Sequence, residues 1–166
     1  MSHKNVLAVD FGASSGRVML GNFDGNRLSI QEIHRFPNDP VILNGTMYWD
    51  FLRLFYEVKQ GLMKAKKYGK IDSIGVDTWG VDFGLIDKEG NLLENPVHYR
   101  DARTAGMLEK SFGKMDKDRF YQITGSQFME INTVFQLLAL LEKRPGLLEG
   151  TSRLLLMPDL FNYYLC

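Results

Sequence analysis

The spacing of apolar residues changes several times along this sequence, and each change predicts a different secondary-structure element. Residues 5–10 form a short apolar run that predicts a buried strand, and residues 17–23 and 27–36 predict two more strands. The Asp-Gly-Asn at residues 24–26 is typical of a tight hairpin turn. We therefore expect the first three strands to form an antiparallel meander.

The middle of the chain changes to helical spacing. Residues 37–45 are expected to form a loop, and Asp50 is the predicted N-cap of a helix whose apolar positions continue to Gly69. Residues 71–77 and 81–87 then predict two further strands. This alternation of strand and helix is typical of α/β proteins.

The last third of the sequence is mainly helical. Residues 102–111 and 117–123 predict short helices, and residues 131–144 predict a longer helix that a Pro-Gly pair ends. Residues 153–157 predict a strand, and Pro158 suits the first turn of a final helix. Together with the earlier strands, this order predicts an α/β fold with a mixed sheet.

The composition excludes several classes of protein. The chain has 166 residues with 20 basic and 20 acidic side chains, so its net charge is zero. A neutral chain is not typical of proteins that bind nucleic acid or an acidic membrane surface, and no apolar run approaches the length of a bilayer span. The only cysteine is Cys166, which excludes a disulfide framework within one chain. We expect a cytoplasmic enzyme or binding domain of one domain, with room for a second small subdomain.

A loop of small and hydroxyl-bearing residues follows the first strand, at residues 11–16. Small side chains let backbone N–H groups approach an anion closely, and serine hydroxyls add donors. The loop has neither of the two common nucleotide-binding glycine patterns, and a hairpin turn rather than a helix follows it. It therefore indicates either a phosphate-binding hairpin or an ordinary β-turn. Asp10, at the end of the strand, is placed either to face a phosphate-bound Mg²⁺ or to cap the turn.

Several segments in order along the chain resemble the FGGY family of carbohydrate kinases. Residues 10–17 resemble the first phosphate hairpin of the actin, hexokinase and heat-shock ATPase superfamily. Residues 72–83 resemble a core strand and loop of the family members that act on L-rhamnulose. Residues 98–104 are similar to the segment after the sugar-facing strands, and residues 156–165 to the segment before a Leu-Thr-Gly of the family. The resemblance implies a ribonuclease-H-like, actin-like ATPase domain whose mixed sheet has an antiparallel meander and then parallel strands, with flanking helices.

The resemblance also implies an activity and its residues. The activity is Mg²⁺-dependent transfer of a phosphoryl group from ATP to the 1-hydroxyl of L-rhamnulose, with Asp10 near the metal. The residues carried over as the ATP phosphate loop are Ala13, Ser14, Ser15, Gly16 and Arg17. For Arg17, a solvated charge at the start of a strand is the alternative interpretation. For Asp10, turn capping is compatible with the metal role.

The sugar-binding residues implied by the resemblance lie near the second strand-and-loop segment. Gly80 falls at the family's substrate contact, where glycine lets sugar hydroxyls meet the backbone. Asp77 and Trp79 are weaker candidates, because a carboxylate accepts sugar hydroxyls and an indole covers an apolar sugar face. Packing explains Trp79 equally well. Three nearby charged residues favour ion pairing among themselves over a sugar contact; they are Arg100, Asp101 and Arg103. Beside them, His98 is as consistent with a structural hydrogen bond as with a substrate role.

The resemblance places other parts of the kinase downstream of Cys166, including the catalytic base, the adenosine pocket and the second phosphate loop. Residues 1–166 are therefore expected to be a truncated N-terminal FGGY domain without turnover of its own, and to associate through exposed apolar surface. Three alternatives remain open. They are a kinase of the same family for L-fuculose, xylulose or glycerol, a sugar- or nucleotide-sensing domain without catalysis, and a structural α/β domain without a ligand.

Overall fold

The computed structural model describes residues 3–166, which divide into two compact units. The first unit comprises the chain up to Val41, Trp49–Gly80 and Met157–Cys166. The second unit comprises Ile42–Tyr48 and Val81–Leu156. None of the helices formed by residues 3–166 is long and apolar enough to cross a membrane.

Strands and helices alternate along the described residues. The strands are β1 (Lys4–Phe11), β2 (Ser15–Phe23), β3 (Leu28–Pro37), β4 (Val41–Leu43), β5 (Thr46–Tyr48), β6 (Ser73–Asp77), β7 (Phe83–Ile86) and β8 (Arg153–Leu156). The α-helices are α1 (Phe51–Ala65), α2 (Met107–Phe112), α3 (Lys117–Thr124), α4 (Thr133–Lys143), α5 (Pro145–Glu149) and α6 (Met157–Leu165). Single 3₁₀ turns lie at Lys66–Tyr68 and Ala102–Thr104.

The first unit is built on a four-stranded mixed sheet in the order β3-β2-β1-β6. Strands β1, β2 and β3 form the predicted antiparallel meander, and β6 adds to β1 in parallel. Alternate side chains of β1 and β2 are buried, which explains why the apolar alternation in the sequence predicted these strands correctly.

Helix α1 covers one face of this sheet. It begins where the Asp50 side chain accepts a hydrogen bond from the Arg53 N–H at 3.2 Å, so the predicted N-cap is confirmed. Its buried residues keep helical spacing along the side that meets the sheet. A Cβ on Gly61 would lie 2.4 Å from Cγ2 of Val18, which shows how closely the helix backbone approaches β2.

The second unit has its own apolar clusters. Strands β7 and β8 pair antiparallel to each other, outside the four-stranded sheet. Phe83 and Leu85 of β7 pack with Leu140 of α4. A neighbouring cluster joins Phe135 of the same helix to Met107 of α2. Helix α4 therefore contributes to both clusters, and this explains its strongly apolar sequence.

Three local predictions differ from the structure. The short helix expected over residues 102–111 is divided into a 3₁₀ turn at Ala102–Thr104 and helix α2, with Gly106 at a φ of 74° between them. The expected loop at residues 37–45 contains β4, which forms a hairpin with β5 around Asn44 and Gly45, both at positive φ (49° and 76°). Asn-Gly is the residue pair that such tight hairpins favour, so the signal was present in the sequence. Pro145 does end α4, but it also starts the short helix α5, where its fixed φ suits the first turn.

Candidate active site

The predicted phosphate loop forms the tip of the β1–β2 hairpin, in the first unit. The Gly12 N–H donates to the Ser15 carbonyl at 2.9 Å, and this bond closes the tip. Ala13 and Ser14 lie exposed between these residues. Within residues 3–166, the backbone N–H groups of Ala13 and Ser14 donate no hydrogen bond. Successive free N–H groups at a turn are suited to binding an anion.

A residue that the sequence analysis missed holds this tip in place. Asn38, only 2% exposed, donates from its backbone N–H to the Ser14 carbonyl at 3.1 Å. Its side-chain Nδ2 donates to the Gly12 carbonyl at 2.8 Å. Its Oδ1 is buried without a hydrogen-bond partner among the described residues. A single asparagine in a Pro-rich connection carries no periodic signal, so only the fold reveals this role.

Gly16 lies between two aromatic rings. In the strand register it pairs with Phe11 on one side and Phe36 on the other, and these rings meet edge to face at 5.6 Å. A Cβ at Gly16 would lie 2.4 Å from two ring carbons of Phe36. The position therefore requires glycine for steric reasons that are independent of any ligand.

Four charged residues form one row across the sheet, directly beside the hairpin tip. Arg17 on β2 pairs in register with Arg35 on β3 and with Asp10 on β1, and Asp10 pairs with Asp77 on β6. Directly paired residues point to the same face of a sheet, so the four side chains share one face. Arg17 donates from Nε to Oδ2 of Asp10 at 2.7 Å. The Arg17 charge is therefore paired rather than only solvated.

The acidic end of this row fits a hydrated divalent cation. Mg²⁺ usually keeps several waters and takes one or two protein carboxylates together with substrate phosphates. Asp10 offers a half-buried carboxylate at the end of β1, and the exposed carboxylate of Asp77 lies on the adjacent strand. No group of three or more potential metal ligands occurs within residues 3–166. The residues present thus suit a metal that arrives with a phosphate ligand.

The predicted sugar-side residues differ in their surroundings. Trp79 stacks on Trp49 with ring centroids 3.9 Å apart and meets Phe11 edge to face at 6.3 Å, so packing accounts for these contacts. Gly80 is exposed, and a Cβ there would meet nothing within 4 Å. Its backbone is therefore open to a ligand. The next residue, Val81, has a φ of 68°, a strained conformation for a β-branched side chain.

The charged segment at residues 98–103 lies in the second unit and has a structural role. Asp101 accepts hydrogen bonds from the N–H groups of Arg103 at 2.9 Å and Met47 at 2.8 Å. The Arg103 guanidinium is largely buried, and its desolvation lowers the pKa of Arg103. Arg100 is exposed, with its guanidinium 5.3 Å from the centre of the Tyr99 ring. Asp101 thus has a structural role through backbone N–H groups, and the predicted ion pairing among the three charged side chains is not among the salt bridges of the described residues.

Gln136 of α4, which the sequence analysis did not single out, connects this segment to Val81 and Asp82, just before β7. It is 1% exposed, and its Nε2 donates to Oδ1 of Asp82 at 2.9 Å and to the Ile131 carbonyl at 2.8 Å. Its Oε1 accepts from Nη2 of Arg103 at 2.6 Å. The Val81 carbonyl, at the strained residue, lies 3.3 Å from the same Nε2, so the two hydrogens of this amide are shared among three acceptors. A fully hydrogen-bonded buried amide of this kind defines one arrangement of the loop.

His98 is expected to make the stability of this chain dependent on pH. Its buried Nδ1 accepts from the Arg100 N–H at 2.9 Å. Burial, assisted by the charge of Arg100, lowers the pKa of His98 from 6.5 to about 4. Between these values the unfolded chain binds the proton more strongly than the folded chain, so folding stability is expected to fall as the pH is lowered from 6.5 to 4.

The variant His98→Asn tests this expectation. Asparagine keeps an acceptor near the Arg100 N–H but does not titrate, so its loss of stability over the same interval should be smaller. Urea-unfolding midpoints measured by circular dichroism, from neutral pH down to about pH 4, provide the comparison. Identical pH dependence in the two proteins would contradict the assignment of this acid sensitivity to His98.

Comparison with known proteins identifies the class to which this chain belongs. The model of the FGGY family of carbohydrate kinases, N-terminal domain, matches residues 5–166. This chain belongs to the FGGY family of carbohydrate kinases. It is 43% identical over 160 residues to the rhamnulokinase of Oceanobacillus iheyensis, covering 96% of this chain and 34% of that protein. The family resemblance found in the sequence is thus confirmed.

Solved structures share the fold. The xylulose kinase from Rhodospirillum rubrum aligns with a TM-score of 0.81 at 15% identity, over 97% of this chain and 34% of that one. The gluconate kinase from Lactobacillus acidophilus aligns with a TM-score of 0.77 at 16% identity, over 93% of this chain and 31% of that one. These likenesses confirm the predicted actin-like ATPase fold. The chain spans about a third of the length of each of these relatives.

Proposed function

We propose that this chain is the N-terminal part of an ATP-dependent kinase that phosphorylates L-rhamnulose at its 1-hydroxyl, with Mg²⁺ as the metal. The observation that carries the proposal is the 43% identity to a rhamnulokinase over 96% of the chain. The hairpin tip and the charged row beside it supply chemistry that suits such a reaction. The complete kinase is the proposed longer protein that contains this chain together with the catalytic base, the adenosine pocket and the second phosphate loop.

The phosphate-binding part of the proposal assigns roles to five residues of the hairpin, Ala13, Ser14, Ser15, Gly16 and Arg17. The free N–H groups at the tip donate to phosphoryl oxygens, and the serine hydroxyls add further donors. Arg17, aligned by Asp10, neutralises their charge. Gly16 lets the aromatic rings behind the hairpin hold it in place. Phosphoryl transfer depends mainly on such positioning and charge neutralisation.

The metal and the sugar are assigned to neighbouring strand ends. Asp10 would hold Mg²⁺, which would supply further neutralisation of the phosphate charge. The Asp77 carboxylate accepts hydrogen bonds from sugar hydroxyls, and the open backbone at Gly80 forms further hydrogen bonds with them. Trp79 lies beside these two residues. We assign the catalytic base to the remaining kinase segments and to no residue of this chain. The chain by itself is therefore expected to have no kinase turnover.

A coupled ADP-release assay on the complete kinase tests the proposal. L-rhamnulose is compared with xylulose, L-fuculose and glycerol at equal concentrations and saturating ATP. We expect kcat/KM for L-rhamnulose to exceed the others by about tenfold or more, because contacts to hydroxyl groups discriminate strongly between sugars. Higher activity with another of these substrates would replace the sugar assignment. ATP binding without transfer to any sugar would instead support the sensing alternative.

A further inference from the structure

Two arginines face each other across adjacent strands, next to the hairpin tip. Arg17 on β2 and Arg35 on β3 are directly paired in the antiparallel register, and both are exposed. Like charges in directly opposite positions destabilise a sheet unless negative charge compensates them. An anion held between them would supply that compensation. In the structure, Asp10 compensates Arg17 and Glu32 compensates Arg35, so an anion would have to take the place of one of these carboxylates.

Arg35 reaches the hairpin itself. Its Nη1 lies 3.4 Å from Oγ of Ser15, within the predicted phosphate loop. The rest of its guanidinium forms a two-pronged ion pair with Glu32, at 3.1 Å from Nε to Oε1 and 2.5 Å from Nη2 to Oε2. Because both side chains of this pair are substantially exposed, the pair contributes little stability and can be exchanged at small cost.

The electrostatic neighbourhood connects this pair to the rest of the row. Hydrogen bonding to Arg35 lowers the pKa of Glu32, and the charge of Arg17 lowers it further. Glu32 in turn raises the pKa of Arg35, with a contribution from Asp10. Electrostatic interactions thus link four side chains across three strands, namely Glu32, Arg35, Arg17 and Asp10.

We propose that Arg35 is a second cationic contact for the phosphate chain of the nucleotide, and that Glu32 holds its guanidinium when no anion is bound. The identity of the anion as nucleotide phosphate rests on the proposed function. A planar guanidinium binds carboxylate and phosphate with the same two-pronged geometry, so phosphoryl oxygens can replace the Glu32 carboxylate. Arg17 and Arg35 then bind the anion from adjacent strands, with the donors of the tip beside them.

Three charge-changing variants of this chain test the proposal, with inorganic triphosphate as the probe in isothermal titration calorimetry at low salt. Arg35→Gln is expected to weaken triphosphate binding about tenfold, the usual size of a lost charge-assisted contact. Glu32→Gln is expected to tighten binding, because it removes the competing carboxylate. Arg27→Gln, in the turn at the far end of the same hairpin strands, removes an equal charge and should change the affinity less than about twofold.

Opposite effects of Glu32→Gln and Arg35→Gln on triphosphate affinity are expected if the Glu32 carboxylate and triphosphate compete for the Arg35 guanidinium. Any of three results would overturn the proposal. They are unchanged triphosphate affinity in Arg35→Gln, a loss of affinity in Arg27→Gln equal to that in Arg35→Gln, and no triphosphate binding by the unmodified chain. The ADP-release assay on the complete kinase separates the two hypotheses. Triphosphate binding that depends on Arg35 in a protein without kinase activity would keep this inference and reject the proposed function. Full kinase activity of Arg35→Gln with an unchanged KM for ATP would reject this inference and keep the proposed function.

Discussion

Asp10→Asn is expected to lower kcat/KM for ATP about 100-fold or more in the complete kinase, which corresponds to about 3 kcal/mol of transition-state stabilisation. The asparagine keeps the shape of the side chain but loses the charge that orients Arg17 and the charge proposed to hold Mg²⁺. Steady-state kinetics with varied ATP and varied Mg²⁺ measure the effect. Because the ion pair is partly exposed, the free energy of unfolding should change by less than about 1 kcal/mol.

Asp24→Asn is the matched control. Asp24 lies in the β2–β3 turn, where its Oδ1 accepts hydrogen bonds from the N–H groups of Asn26 and Arg27, and an asparagine oxygen can accept the same bonds. Its kinetics should equal those of the unmodified enzyme. If Asp10→Asn also leaves kcat/KM within about threefold, the metal and phosphate roles of Asp10 are wrong.

Gly16→Val is expected to lower the free energy of unfolding of this chain by about 2–3 kcal/mol, as overpacked core positions do. The new side chain has no room, because its Cβ would lie 2.4 Å from the Phe36 ring and 3.1 Å from Cδ1 of Phe11. Relief requires the rings or the β2 backbone to move, and either shift displaces the hairpin tip. In the complete kinase, KM for ATP should therefore rise as well. Urea denaturation followed by circular dichroism measures the stability.

The control for this substitution is a glycine with open surroundings. A Cβ on Gly75 of β6 would meet nothing within 4 Å, so Gly75→Ala should change the stability by no more than about 0.5 kcal/mol. The double variant Gly16→Ala with Phe36→Leu should be less destabilised than the sum of the two single variants, since both act on one contact. If Gly16→Val has the same unfolding midpoint as the unmodified chain, the Phe11 and Phe36 rings can move aside without loss of stability, and the steric argument is wrong.

Much of the first unit was predictable because its signals are local. The alternation of buried residues along β1 and β2, the Asp-Gly-Asn turn and the Asp50 cap each involve residues close together in the chain. The hairpin at β4 and β5 was missed although its Asn-Gly turn was present, because its strands are only three residues long. Short strands carry little alternation, so the turn residues were the usable signal.

The candidate site was predictable only in part. The small residues at positions 11–16 indicated either a phosphate-binding hairpin or an ordinary turn, Asp10 was placed beside it, and the family resemblance added Arg17. Arg35 and Asn38 were missed, because each reaches the hairpin from β3 or the connection after it. Neither lies in a segment with a recognisable nucleotide-binding pattern. Gln136 was missed for a similar reason, since its position in an apolar helix gives no sign of its hydrogen bonds to Asp82 and Arg103.

The sequence by itself determined the meander, the α/β order of elements, the small-residue hairpin and the resemblance to FGGY kinases, because these depend on neighbouring residues or on ordered motifs. Only the tertiary structure decided that Arg35, Arg17, Asp10 and Asp77 form one row across four strands. Side-chain alternation shows which face of a strand a residue occupies, but the register of hydrogen-bonded strands decides which residues stand opposite each other. That register is set by pairing between distant segments and by the packing beneath them.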